Sequence, residues 1–311
     1  MLRYLLIRVL RAFITISLVV TFAFIVLRMS GDPAVSIMGD DASAAAMEAF
    51  RREWGLDQSI WMQYFLYIAA ICHGDFGQSM RGGGSALELV LSRVPATVML
   101  TLPALLLKVA IGIPAGIYAA LHRDRTIDQG VMVAAVAGYT IPSFVLGLVL
   151  VQIFAIWVPM LPTGGTGSLP HLILPVVTLG VGGAAILARF VRSAMLEVLG
   201  QPYIRTASAK GIPWAVVVRG HALPNAAIPT VTIIGFMVGN LIAGSVVTES
   251  VFSWPGVGNL LVVSVAARDL AVVQCILLFV AVTMVLSNLV VDFLYGVLDP
   301  RLSSGNSTAG N

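Results

Sequence analysis

A chain of 311 residues that is 58% hydrophobic and only 11% charged, with a mean hydropathy of +0.95, falls far below the about 25% charged residues of an ordinary soluble domain. Its 15 acidic and 18 basic residues would leave apolar patches larger than soluble monomers expose, which excludes a soluble globular enzyme and makes lipid the natural solvent. The net charge of +3 comes from scattered arginines, with no basic block interleaved with aromatics, so nucleic acid is excluded as a partner.

Six apolar runs are long enough, at ~1.5 Å per residue, to cross a hydrocarbon core ~30 Å thick. They are residues 9–27, 94–120, 129–158, 171–191, 227–248 and 271–297. Helix is the expected conformation, because a lone strand leaves its backbone unpaired in lipid and the runs lack the ~10-residue alternation of a barrel. The predicted fold is therefore all-α and polytopic, with six transmembrane helices.

The first run follows Arg3, Arg8 and Arg11 and exceeds the roughly 7–15-residue apolar centre of a secretory signal, so it reads as a retained anchor over 1–28. Residues 29–93 form a small extracytoplasmic cap. A short helix is expected over 41–52, capped by Asp41 or Ser43, and an apolar-faced one over 60–72 after the Gly55-Leu56-Asp57-Gln58 turn. Gly74-Asp75-Phe76-Gly77 and Gly82-Gly83-Gly84 mark loops. Residues 94–298 make a five-helix core, and 299–311 a cytoplasmic tail.

Orientation follows from positive charge, which short cytoplasmic loops retain. Arg123 and Arg125 lie between runs two and three, and Arg189, Arg192, Arg205, Lys210 and Arg219 between runs four and five. The segment 159–170 has no Lys or Arg, and 252–270 has only Arg268. Both termini are expected in the cytoplasm. Trp54, Trp61, Trp157 and Trp254 are expected as membrane-interface or loop anchors. Pro95, Pro103, Pro114, Pro142 and Pro175 should kink or start helices. Gly112, Gly116, Gly235, Gly239 and Gly244 suit close helix packing with a second membrane subunit. Cys72 and Cys275 fall at different depths and form no metal-binding spacing.

The segment 189–224 is too ordered in pattern to be a linker. Residues 203–210 have good helical propensity, Gly211 ends a helix, and Pro213 fits the first turn of another that continues through Trp214, Val217 and Val218. Two short helices joined by a tight turn are expected on the inner face, able to plug into a partner's groove. The chain has only two lysines, Lys108 and Lys210, neither preceded by Gly, so it holds no phosphate-cradling loop of its own. No H-E-x-x-H, clustered His/Cys set or G-x-S-x-G elbow is present, so no catalytic residue, metal ligand or directly bound cofactor is assigned.

Tyr203-Ile204-Arg205-Thr206-Ala207-Ser208-Ala209-Lys210-Gly211, followed by His221-Ala222-Leu223-Pro224-Asn225-Ala226, closely resembles the EAA loop of bacterial ABC importer permeases. The order of further stretches resembles the first (B-type) permease of the dipeptide/oligopeptide/nickel family. These are Gly31-Asp32-Pro33, Gly74-Asp75-Phe76-Gly77-Gln78-Ser79, His171-Leu172-Ile173-Leu174-Pro175, Arg192-Ser193-Ala194-Met195-Leu196-Glu197-Val198, Glu249-Ser250-Val251-Phe252-Ser253-Trp254-Pro255-Gly256 and the terminal Asp299-Pro300-Arg301. Ser208 and Pro224 stand where family members often carry Arg, and the loop's eponymous Glu is absent.

The resemblance implies a type I ABC importer permease fold in the bacterial inner membrane. It implies two cytoplasmic ATPase subunits that consume the ATP, a second homologous permease and an extracytoplasmic binding protein. The coupling loop spans 192–226, with Tyr203, Arg205, Thr206, Ala207, Ala209, Lys210, Gly211, His221 and Pro224 as the ATPase-coupling residues. Lys108, the one basic residue deep in a run, is a candidate for the translocation path together with Asn240 and Glu249, because an intramembrane charge is costly to keep. The solute class implied is dipeptide, oligopeptide, glutathione, nickel complex or glycoside. Two rivals stand beside this reading. An ion-driven secondary transporter needs mid-span carboxylates, which are nearly absent, and a membrane scaffold gives the ordered inner hairpin nothing to do.

Overall fold

The computed structural model describes residues 2–29, 31–39 and 42–298, so the Asp41 cap, Asp299-Pro300-Arg301 and the 299–311 tail lie outside the described residues. The elements in chain order are α1 (Leu2–Met29), α2 (Pro33–Met38), α3 (Ala44–Glu53), α4 (Ile60–Cys72), α5 (Ala86–Leu121), α6 (Thr126–Thr140), α7 (Ser143–Val151), α8 (Pro170–Leu199), α9 (Pro202–Ala209), α10 (Trp214–Val217), α11 (Leu223–Gly239), α12 (Leu241–Val251), α13 (Val257–Ala266) and α14 (Leu270–Leu298). Among the described residues, the only β pairing is a single bridge between Gln78 and Ser85.

Among the described residues, five stretches are long and apolar enough to cross a membrane: Leu6–Met29, Ala86–Leu121, Pro170–Leu199, Trp214–Gly239 and Leu270–Val290. The expected run 129–158 is instead a broken pair, Thr126–Thr140 and Ser143–Trp157, bent by 95°. Pro142 causes the break. It donates no hydrogen bond and pushes the preceding residue out of helical geometry, and Ile141 sits at φ −73°, ψ 119°. Pro95, Pro103, Pro114 and Pro175 leave α5 and α8 unbroken.

Parity decides whether the bent pair crosses. The Ser79 hydroxyl donates to Asp269 Oδ2 at 2.5 Å, so the two residues lie on one side of the bilayer and an even number of crossings separates them. Between them α5, α8 and Trp214–Gly239 make three, while Leu241–Val251 and Val257–Ala266 are each too short to cross. The bent pair supplies the fourth, and the total among the described residues is six.

Two further expectations are corrected. The run 227–248 is not one helix, because it breaks at Asn240 (φ −99°, ψ 12°) between α11 and α12. The second short helix of the inner hairpin does not stop either; α10 passes through a π-helical turn, Val218–Ala222, directly into α11. In that turn Leu223 N–H reaches back to Val218 O, which gives the Pro224 ring room that an α-turn would deny it against the carbonyl four residues earlier.

The chain divides into two compact units, Met1–Thr97 with Pro255–Thr283, and Val98–Trp254 with Met284–Asn311. In the first, Ser43 Oγ accepts from Ala46 N–H (3.2 Å) and Ser59 Oγ from Met62 N–H (3.4 Å), capping α3 and α4. Asp32 caps α2 through Ala34 N–H (2.9 Å) and pairs with Arg51 at 2.6 Å. Asp269, buried, accepts from Ser79 and from Met80 N–H (3.3 Å), while the Arg268 guanidinium lies against Gly31, where an added Cβ would come within 2.6 Å of it. The Gly31-Asp32-Pro33 and Gly74–Ser79 stretches thus seat the cap on the 268–269 corner.

In the second unit α8 is the central post, packed by α6, α7, α11 and α12. Gly112 and Gly116, expected to meet a second subunit, instead meet α8 of their own chain: an added Cβ would fall 2.8 Å from Leu187 Cβ at the first and 2.7 Å from Val191 Cβ at the second. The absent side chains let two helix backbones approach closely. Gly239 lies beside Ser287 and Asn288, and Gly235 is buried, whereas Gly244 meets nothing. Trp254, expected as a membrane-interface or loop anchor, is a buried loop residue, while Trp61 and Trp157 are exposed.

Candidate functional site

The hairpin expected on the inner face is built from the end of α8, through α9, to α10. Gln201 precedes Pro202, whose fixed φ starts α9 at its first position. The helix ends where Lys210 N–H bonds Thr206 O (3.1 Å) and Gly211 N–H bonds Ser208 O (3.0 Å). Gly211 takes φ +77°, the left-handed conformation that terminates a helix at little cost only for Gly. Pro213 then turns the chain, and Val216 N–H (2.8 Å) and Val217 N–H (3.1 Å) both bond its carbonyl as α10 begins.

The hairpin has two distinct faces. Ile204, Ala207, Val217, Val218 and Ala222 are buried in one apolar cluster with Leu187, Val191, Ala194 and Met195 of α8. The opposite face presents Tyr203, Arg205, Thr206, Ala209, Lys210 and Gly211. Of the sequence-predicted coupling residues, therefore, Ala207 holds the elbow to its own chain, and its small size serves that contact. His221 and Pro224 are exposed one turn farther along, and the His221 carbonyl accepts from Asn225 Nδ2 at 2.7 Å. Trp214 and Val216, which sequence reasoning did not assign to the coupling surface, are large apolar side chains left exposed at the start of α10. Their position just after a helix-starting Pro was the available signal.

A part-buried ion pair ties the hairpin's root to α6. Arg192 on α8 grips Asp128 with two charge-assisted bonds, Nε to Oδ1 at 2.5 Å and Nη2 to Oδ2 at 2.7 Å, and Asp124 N–H adds a third at 3.0 Å. Asp128 sits in the first turn of α6, where its charge also complements the helix dipole. The Arg189 guanidinium lies 5.6 Å from the Tyr139 ring, a second α6–α8 contact. Both arginines, expected in a loop, belong to α8, which runs to Leu199 and not to Val191.

The three path candidates do not come together as one site. Lys108, on α5, is half-buried with its stem laid across Gly183; a Cβ there would fall 2.6 Å from Lys108 Cε. Among the described residues no carboxylate pairs with it. Asn240 is exposed at the α11–α12 break. Glu249 is fully buried and accepts from Ser245 Oγ at 2.9 Å, so in this conformation it is packed within the unit and faces no open path. A cavity of ≈ 200 Å³ opens at the 95° bend, lined by residues including Pro142, Ser143, Thr178 and Gly182.

Residues 112–304 match the family described as "Binding-protein-dependent transport system inner membrane component", and residues 1–101 match its companion "Binding-prot-dependent transport system membrane comp, N-term". The chain is 42% identical over 303 residues to the "Glutathione transport system permease protein GsiC" of Escherichia coli (strain K12), spanning 97% of this chain and 99% of that protein. The protein of the same name from Shigella dysenteriae serotype 1 (strain Sd197) matches to the same extent. Among solved structures, one described as inward-facing conformations of the MetNI methionine ABC transporter superposes with a TM-score of 0.58 at 21% identity, covering 68% of this chain and 96% of that one, which shows a shared fold. With apolar crossings among the described residues, a two-faced elbow and family matches over most of its length, the chain belongs to the inner-membrane component family of binding-protein-dependent transport systems, as a multi-pass permease subunit of an ABC importer of the peptide/nickel type.

Proposed function

We propose that this chain forms, with a second homologous permease, the translocation path for a di- or oligopeptide or a related small solute. An extracytoplasmic binding protein delivers the solute, and two cytoplasmic ATPases drive the cycle. Both termini are cytoplasmic, residues 29–93 form the outer cap, and 94–298 form the core, with the coupling segment 192–226 facing the ATPase. The relatives named as glutathione permeases support a small peptide with free carboxylates as the solute. Lys108, half-buried and unmatched by any described carboxylate, suits such a charge.

One observation carries this reading: the elbow's inner face is locked into the chain's own core while Tyr203, Arg205, Lys210 and Trp214 stand free on the other. A hairpin held this way transmits a push as a rigid lever, and α8, clamped to α6 by Arg192 and Asp128, carries it into the bundle.

The test is cross-linking in the assembled importer, in a Cys72→Ser background that leaves only buried Cys275. Arg205→Cys and Lys210→Cys should cross-link to the ATPase, while Ala207→Cys, facing inward, should not. Labelling of Arg205→Cys by a membrane-impermeant maleimide from outside intact cells would place the elbow on the wrong side and end the proposal.

A further inference from the structure

Helix α4 is inside out for a helix in water. Its sequence, IWMQYFLYIAAIC, holds no charged residue, and the face turned towards its own chain carries its polar atoms. Gln63 is buried and its Nε2 donates to Leu56 O (3.2 Å) and Gln58 O (2.7 Å). The Tyr64 hydroxyl and Thr21 Oγ1 share a 2.8 Å hydrogen bond. The Tyr64 and Tyr67 rings pack on Phe24 with centroids 5.3 and 5.8 Å away. The outward face is the apolar one: Trp61 is 75% exposed and Phe65 67%, with Met62 and Leu66 beside them, a single stripe at four-residue spacing. Water-facing helices show the reverse arrangement. The preceding helix, α3, is ordinary in this respect, presenting Glu48, Arg51, Arg52 and Glu53.

The contacts of α4 fix its depth. Thr21 and Phe24 lie inside the crossing stretch Leu6–Met29. At ~1.5 Å per residue they stand about 12 and 8 Å short of its Met29 end. A helix packed there is at the level of acyl chains. The exposed surface of α1 is likewise apolar and includes Leu18, Phe22 and Ile25. The Gln63 bonds answer the constraint such a position imposes, because turn carbonyls next to hydrocarbon need partners from within the protein.

We propose that α4 lies in the membrane as an in-plane helix, in the leaflet that holds the Met29 end of α1, with Trp61, Met62, Phe65 and Leu66 against lipid chains. The proposal rests on α1 being a crossing and is independent of which leaflet is outer and of how partners dock. It removes α4 from the surface available to a binding protein and leaves α2, α3 and the cap loops.

The experiment uses the assembled importer in phosphatidylethanolamine/phosphatidylglycerol liposomes, with a nitroxide on Phe65→Cys or, should that variant fail to assemble, Trp61→Cys, each in the Cys72→Ser background. Collision with oxygen, which concentrates in hydrocarbon, should exceed collision with a water-soluble nickel chelate at these positions. The order should reverse for a nitroxide on Glu48→Cys in α3. A nickel-dominated signal at residue 65 or 61 would overturn the proposal in favour of a water-facing docking surface, and shielding from both reagents would overturn it in favour of cover by another protein subunit. A nitroxide on Phe22→Cys reports α1 separately: nickel preference there would reject the crossing itself.

Discussion

Replacing Gly211 with Asp tests the elbow where its geometry is tightest. Gly211 sits at φ +77°, and a Cβ added there meets no atom within 4 Å, so the variant creates no clash inside the chain. The remaining penalty is the left-handed backbone, about 1–2 kcal/mol for a residue with a side chain, and Asp falls at the low end because it bonds locally. Opposing it are Ile204, Val217 and Val218, all buried in the α8 cluster and worth about 1.5–3 kcal/mol each. The hairpin therefore stays formed and the protein inserts normally. What changes is the outer surface, which now carries a carboxylate that must be desolvated or repelled in any tight interface. We expect binding-protein-stimulated uptake in proteoliposomes to fall at least about tenfold, equivalent to ~1.4 kcal/mol of lost coupling, while expression and melting in detergent stay close to normal. Gly211→Ala carries similar backbone strain without the charge and should retain most uptake. Normal uptake by Gly211→Asp at normal expression would refute the claim that a partner closes over this turn.

The Arg192–Asp128 pair is buried on the Asp128 side, so Asp128→Ala leaves a poorly solvated guanidinium and should destabilise by up to about 3–5 kcal/mol. Adding Arg192→Met should recover part of that loss in detergent melting, and a double variant as unstable as the sum of the singles would show that the charges are not coupled. Gly116→Val drives a side chain into Ala188 O and Val191, an overpacking that costs about 1–3 kcal/mol. Gly244→Ala, which meets nothing within the chain, should leave the melting of the isolated subunit unchanged, and the opposite ranking in thermal aggregation would overturn the assigned α5–α8 contact.

Legibility in the sequence divides along a physical line. Six apolar runs, the short helices expected over 41–52 and 60–72 and the Gly211 turn were all readable, because hydropathy, capping and left-handed glycine are local properties of a few consecutive residues. Pro142 was visible as a kink, but its 95° bend was not. Five prolines look alike in sequence, yet only Pro142 breaks a helix. The hairpin itself was legible, whereas its division into an inward set with Ile204 and Ala207 and an outward set with Arg205, Lys210 and Trp214 was not.

The sequence by itself determined what this chain dissolves in and which runs are long enough to cross, since those follow from the length and polarity of each run against a bilayer of fixed thickness, while the Ser79–Asp269 contact decided that the bent pair crosses. Tertiary structure alone decided which helix faces meet. Asp128 finds Arg192 across 64 residues and Ser79 finds Asp269 across 190. It also set Gly116 against α8 and turned the polar side of α4 inward against Phe24. In lipid both faces of a crossing helix are apolar, so the periodicity that marks the buried side of a soluble helix is nearly silent, and close packing with hydrogen bonding selects the partner instead.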